Sequence, residues 1–169
     1  MFFQLSRAGH YRNGIGSVPA LMPAAALVGV ALLALVGCSS EPPEIQTRAI
    51  DFEICAKAND DNALAVDLVL VFDLPLVGQV SELTATTWFR TRDQVLLANP
   101  TGLEVRSFEV IPGQPGTHVE ISGRSRDAVA AFLFAGYASP GAHRARIDGM
   151  PEVLVRLGGK DFAVTAPSS

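Results

Sequence analysis

Downstream of position 37, the residues able to do chemistry are few and scattered. His118 and His143 lie far apart, and neither stands at a metal-ligand spacing, whereas zinc or iron needs three or four ligands. Nucleophilic catalysis needs a serine or cysteine beside a base and oxyanion donors. No Gly-x-Ser-x-Gly turn occurs, and Ser122 and Ser139 sit in ordinary turn chemistry. Asp60 and Asp61 are adjacent carboxylates without the oxygen-rich spacing of a calcium loop. Gly113-Gln114-Pro115-Gly116 and Gly158-Gly159 lack the basic residue and helix start that make a phosphate cradle, so they read as hairpin turns. These absences predict a protein that is not an enzyme and carries no metal or cofactor. The one concentrated positive feature is His143, Arg144, Arg146 and Arg156. It reads as a solvated surface or as a patch that seats an acidic partner through arginine pairs.

One cysteine has a more definite chemistry. Arg7 and Arg12 form a basic start, no Asp or Glu precedes Glu41, and Val18 to Val36 is almost wholly small and apolar. Leu35-Val36-Gly37-Cys38 closes the run, and the order of basic, apolar and small residues is that of a secretory signal. The last four residues resemble a lipobox, in which the cysteine thiol is diacylated and the freed amine is acylated. The apolar run is also near the ~20 residues that span a bilayer. However, Pro19 and Pro23 fall in its first turns and no basic stop-transfer cluster follows. The expected product is cut before Cys38, with residues 1–37 removed and residues 38–44 forming a lipidated cysteine and polar spacer. Two or three acyl chains hold a protein stably on a bilayer, where one does so only marginally. Ser39, rather than Asp, follows the cysteine. By resemblance to Gram-negative lipoproteins this directs the product to the outer membrane, with the domain facing the periplasm.

The chain has a formal net charge of −4, and loss of Arg7 and Arg12 makes the remainder more acidic. An acidic domain has no electrostatic claim on phosphate backbones, which excludes nucleic acid as a partner. With Cys38 committed to lipid, Cys55 has no partner for a disulfide. It stands in the alternating segment Asp51-Phe52-Glu53-Ile54-Cys55 and is expected to be a buried strand residue.

The elements that must position these residues follow from period and punctuation. Ile45 to Ala58 alternates loosely as a first strand, and Asn59-Asp60-Asp61-Asn62 is a turn of short Asx side chains. Ala63 to Phe72 is nearly continuous in apolar residues, as in a strand covered on both faces, with Asp67 as its interruption. Leu74-Pro75 breaks that strand, and residues 81–97 change to a helical period, with Ser81 as a possible cap. Trp88 or Phe89 would anchor this insertion on the sheet. Leu103 to Ile111 alternates again, with Thr117 to Ser122 expected as its hairpin partner. Ser125 to Tyr137 is apolar enough for a central strand or a buried helix, and Phe132 and Phe134 favour strand. His143 to Met150 reads as a polar link, and Pro151–Leu157 with Asp161–Val164 as a last hairpin. Six to eight short strands with one helical insertion predict a mainly β, two-sheet β-sandwich over residues 45–165, followed by a frayed tail at 166–169.

In this order the features resemble the type VI secretion outer-membrane lipoproteins (TssJ-like): a lipobox, an Asn-rich loop after the first strand, a long second strand and an aromatic-anchored helical piece. Val110-Ile111-Pro112-Gly113 and Phe132 to Tyr137 before His143-Arg144 extend the resemblance. Histidine stands at 143, where that family has tryptophan, and Phe72-Asp73-Leu74 replaces its tyrosine-x-leucine. The resemblance implies a transthyretin-like sandwich that tethers an inner-membrane secretion-complex protein by its periplasmic domain. It makes Asn59, Asp60, Asp61 and Asn62, with Arg144, the candidate partner-binding residues. A small-molecule or envelope-binding lipoprotein without catalytic activity is the alternative, and it would show a deep apolar pocket.

Overall fold

The computed structural model describes residues 44–167. The expected signal segment, Cys38 and the spacer before Glu44 lie outside the described residues, as do Ser168 and Ser169 of the tail. The domain is a sandwich of two four-stranded sheets. One sheet runs β4 (His118–Glu120), β1 (Ala49–Ile54), β7 (Glu152–Leu157), β8 (Phe162–Thr165). The other runs β3 (Leu103–Val110), β2 (Leu64–Val71), β5 (Ala130–Ala135), β6 (Arg144–Arg146). All pairings are antiparallel except β1 with β7, which is parallel. The predicted mainly β, two-sheet sandwich with a small helical insertion is therefore found.

The sequence of β2 shows why both of its faces are apolar. Leu64, Val66, Leu68 and Leu70 point into the core between the sheets, while Val69 and Val71 pack outward under the helices. Alternate residues of a strand serve opposite faces, so only a strand with two covered faces needs an unbroken apolar run.

The helical insertion is two helices, α1 (Leu74–Glu82) and α2 (Ala85–Ala98), where one was expected from residue 81. Pro75 starts α1 because proline suits the first helical turn, whose N–H has no intrahelical partner. Ser81 is inside α1; the cap of α2 is Thr84, whose side chain accepts from the Thr87 N–H at 3.2 Å. Trp88 is the anchor: it is fully buried and stacks on Phe134 at 5.1 Å between ring centroids. Asp67 lies on the same outer face of β2. One of its carboxylate oxygens, Oδ2, accepts from Trp88 Nε1 at 2.8 Å and from Arg92 Nη1 at 2.9 Å. The acid that interrupts the apolar run is thus the point at which α2 is clasped to the sheet.

Three other expectations change. Residues 117–122 do not return beside β3; β4 crosses to the other sheet and pairs with β1. Gly116 allows the crossing, since a side chain there would run into the backbone of Phe52. Cys55 is exposed, because β1 ends at Ile54 and the chain has already turned. The 143–150 link contains the short edge strand β6.

Trp88→Phe keeps one aromatic ring but removes the indole N–H and part of the buried ring system, leaving a buried acceptor with one fewer donor. It is expected to lower the unfolding free energy by about 1–3 kcal/mol, read by circular dichroism in a denaturant titration. Unchanged stability would mean that the bond from Trp88 to Asp67 contributes nothing to the fold.

Candidate functional site

Consecutive strands β1 and β2 belong to different sheets, so the segment between them must cross one end of the sandwich. The crossing is made in an unusual conformation. Asn59, Asp60 and Asp61 all have positive φ, at 47°, 51° and 65°. Each such non-glycine residue costs about 1–2 kcal/mol, least for Asn and Asp, whose short polar side chains bond locally. That conformation repeated over successive residues persists only where the surroundings fix it.

The surroundings do fix it. Asn59 is buried, its Nδ2 donating to the Ala63 carbonyl at 3.0 Å and its Oδ1 accepting from the Ala138 N–H at 3.1 Å. The N–H groups of Asn59 and Asp60 donate to the carbonyls of Gly158 and Gly159 at 3.1 and 3.0 Å. Asn62 Nδ2 donates to the carbonyls of Asn59 and Asp60 at 3.2 and 3.0 Å. With the backbone so held, the side chains of Asp60 and Asp61 stand exposed at the tip.

The two loops that support this tip are themselves tied together by His143. Its φ is 43° and it is buried. Nε2 lies 2.7 Å from the Ser139 carbonyl and Nδ1 lies 3.0 Å from Asp161 Oδ1. A carbonyl only accepts, so Nε2 carries the hydrogen of that bond. The Tyr137 ring packs on the imidazole at 5.0 Å, and burial, with Asp161 nearby, pushes the tyrosine hydroxyl above its usual range. A side chain on Gly141 would lie 2.6 Å from the imidazole, so glycine is required there. No periodic signal marks this tie, which joins residues from two loops; in the sequence His143 is legible only as part of a basic group and a polar link.

Arg144 does not join the 59–62 tip. Its Nη1 donates to the Leu83 carbonyl at 2.9 Å and holds the junction between α1 and α2. The basic group does not assemble into one patch either. Arg146 forms a two-bond pair with Asp148 at 2.6 and 2.8 Å, which raises its already high pKa, while Arg156 pairs with Glu53 at 2.6 Å on the other sheet. His118 pairs with Asp51 at 2.7 Å on the edge of its sheet, and that hydrogen bond raises the histidine pKa.

Among the described residues no three or more His, Cys, Asp or Glu side chains group as a metal site, and no helix is long and apolar enough to cross a membrane. A notch between the sheets, with apolar walls from Phe52, Ile54, Phe108 and Val110 and a polar rim from Glu109, Gln114 and Thr117, holds about 130 Å³.

No family model and no curated protein matches the sequence. Solved structures do match the fold. The T6SS lipoprotein TssJ1 from Pseudomonas aeruginosa aligns with a TM-score of 0.53 at 14% identity, over 76% of this chain and 99% of its own. Serratia marcescens Lip, a membrane bound component of the Type VI Secretion System, aligns with a TM-score of 0.52 at 11% identity, over 71% and 98%. This chain has the fold of those two secretion lipoproteins. At such identity the likeness is one of backbone architecture, and it takes in nearly the whole of TssJ1 and of Lip.

Asn59→Ala removes two side-chain bonds to backbone and leaves a left-handed alanine, so it is expected to cost about 3 kcal/mol. Asp61→Gly relieves a strained φ without breaking a bond and is expected to leave stability unchanged or raise it by up to about 1 kcal/mol. Thermal unfolding of both variants checks the pair. Equal losses in the two would contradict the assignment of Asn59 as the residue that holds the tip.

Proposed function

We propose that this chain is a lipoprotein anchored to the outer membrane through acylated Cys38, and that it is an assembly component of a type VI-like secretion envelope complex. In this reading its domain faces the periplasm and tethers the periplasmic domain of an inner-membrane secretion-complex protein. The fold shared with TssJ1 and Lip supports the setting. The observation that carries the tether is the placement of the rigid acidic tip.

The described chain enters the domain at the pole opposite the tip. Ile45 and Gln46 donate their N–H groups to the carbonyls of Ala128 and Asp148, and Thr47 Oγ1 donates to those of Ile147 and Met150. β1 then runs the length of its sheet, about 20 Å at ~3.3 Å per residue, before the chain reaches Asn59. A spacer tied to the bilayer at Cys38 therefore meets the domain at one pole, and Asp60 and Asp61 are presented at the other. Fixing the backbone before contact reduces the ordering cost of binding, which favours a preorganised tip over a flexible loop. A ligand-binding function has less support, since the notch is well below the ~300–1,000 Å³ of a small-molecule pocket, and the larger trough over β2 and β3 is an open surface lined by small and charged residues rather than a deep apolar cavity.

The test is a crosslinking pull-down of the lipidated protein from solubilised envelopes, wild type against Asp60→Ala/Asp61→Ala. The proposal expects one large inner-membrane protein, lost in the double variant. Enrichment of no inner-membrane protein from the wild type would refute the tether.

A further inference from the structure

The outer face of the β2–β3 pair is covered by α1 and α2 over only part of its length. Beyond Arg92 it opens into a trough of about 440 Å³ lined by Ala63, Ala65, Asp67, Arg92, Ser107 and Glu109. The small side chains leave the space, and Asp67 is at its floor. Only Oδ2 of that carboxylate is occupied, by Trp88 and Arg92; Oδ1 is buried and has no hydrogen-bond partner. A carboxylate oxygen accepts only, so the group that completes it must donate. Asp67 and exposed Glu109 together outweigh the charge of Arg92, so a cationic donor is favoured over a neutral one.

The trough borders a free sheet edge. β3 is the outermost strand of its sheet and pairs only with β2, so alternate N–H and C=O groups point away from the sheet. On the other face of the same strand, Phe108 and Val110 line the apolar notch with Phe52 and Ile54, and Ile111 beside it is exposed. One edge strand thus has an acidic trough on its outer face and an apolar notch on its inner face.

We infer that the end of β3 from Ser107 to Ile111 is a docking edge for an extended protein segment in which basic and apolar residues alternate. The segment adds as a strand against β3, the mode by which peptides extend exposed sheet edges. A guanidinium or ammonium donates to Asp67 Oδ1, with Glu109 at the rim, while the intervening apolar residues turn toward the notch. This site is separate from the 59–62 tip and stands or falls without it.

Trp88 is the sole tryptophan of the chain and is bonded to Asp67, so its emission reports on the site directly. The full-length mature protein in micelles of a zwitterionic detergent is titrated with an acetylated, amidated peptide of alternating arginine and valine. Parallel titrations use the same peptide with citrulline for arginine, and free arginine amide. A saturable emission change is expected with the arginine peptide. Binding should be at least about tenfold weaker for the citrulline peptide and for arginine amide alone. It should be lost in Asp67→Asn and weakened in Glu109→Lys, whose exposed position leaves the fold intact. No saturable change, equal binding of the citrulline peptide, or full binding by Glu109→Lys would each overturn the inference. Arginine amide binding as tightly as the peptide would also overturn it, by making the trough a pocket for free amines.

Discussion

The crossing from β1 to β2 carries the chain from one sheet to the other, and the buried amide of Asn59 lets it do so. That side chain joins a carbonyl on its own segment to an N–H on the β5–β6 connection. Backbone bonds to Gly158 and Gly159 then hold the segment against the β7–β8 turn. The β1–β2 connection joins strands of different sheets and has no ladder of its own, whereas the other two close the antiparallel pairs β5–β6 and β7–β8. Held against one another they form a pole firm enough to keep three consecutive residues in left-handed conformation. His143 extends the same arrangement by tying Ser139 to Asp161, so the support beneath the acidic tip is itself cross-braced.

The rest of the sandwich gives that pole its direction. The parallel pairing of β1 with β7 runs along the middle of one sheet and sets the chain's entry and the tip at opposite ends. The helical insertion lies on the outer face of the other sheet, clasped by Asp67 to Trp88 and Arg92, and it leaves the tip uncovered. The described chain thus enters the domain at one pole and shows Asp60 and Asp61 at the other. That geometry is what a tether needs, and it requires no catalytic group.

Much of this was legible in the sequence because the residues report their surroundings. The unbroken apolar run of β2 follows from its two covered faces; in β3 the apolar residues change face partway along, Leu103 and Val105 packing under the helices and Phe108 and Val110 against the core between the sheets. Phe132 and Phe134 marked β5 correctly as a strand, and the pair Trp88 and Phe89 was recognisable as holding the anchor by size, though not which of the two it is. What could not be read were partnerships between segments distant in sequence. Residues 117–122 looked like the return of a hairpin, yet the turn before them carries the chain to the other sheet. Cys55 fitted an alternation that stops one residue earlier, and Arg144 looked like part of a surface patch although its guanidinium binds the Leu83 carbonyl. The Asx cluster at 59–62 was recognisable as a turn, but its rigidity depends on Ala138, Gly158 and Gly159, which no local pattern connects to it. Asp67 was visible as a lone acid in an apolar run; its orphaned oxygen is a property of the packed structure alone.

The most direct measurement is site-specific photocrosslinking in intact envelopes, with a photoreactive residue placed at position 61 or, as the opposite-pole control, at position 101. The account predicts a discrete crosslink from position 61 to an inner-membrane protein and none from position 101. Crosslinks of equal strength from both, or from position 101 alone, would contradict the claim that the 59–62 tip is the tethering contact.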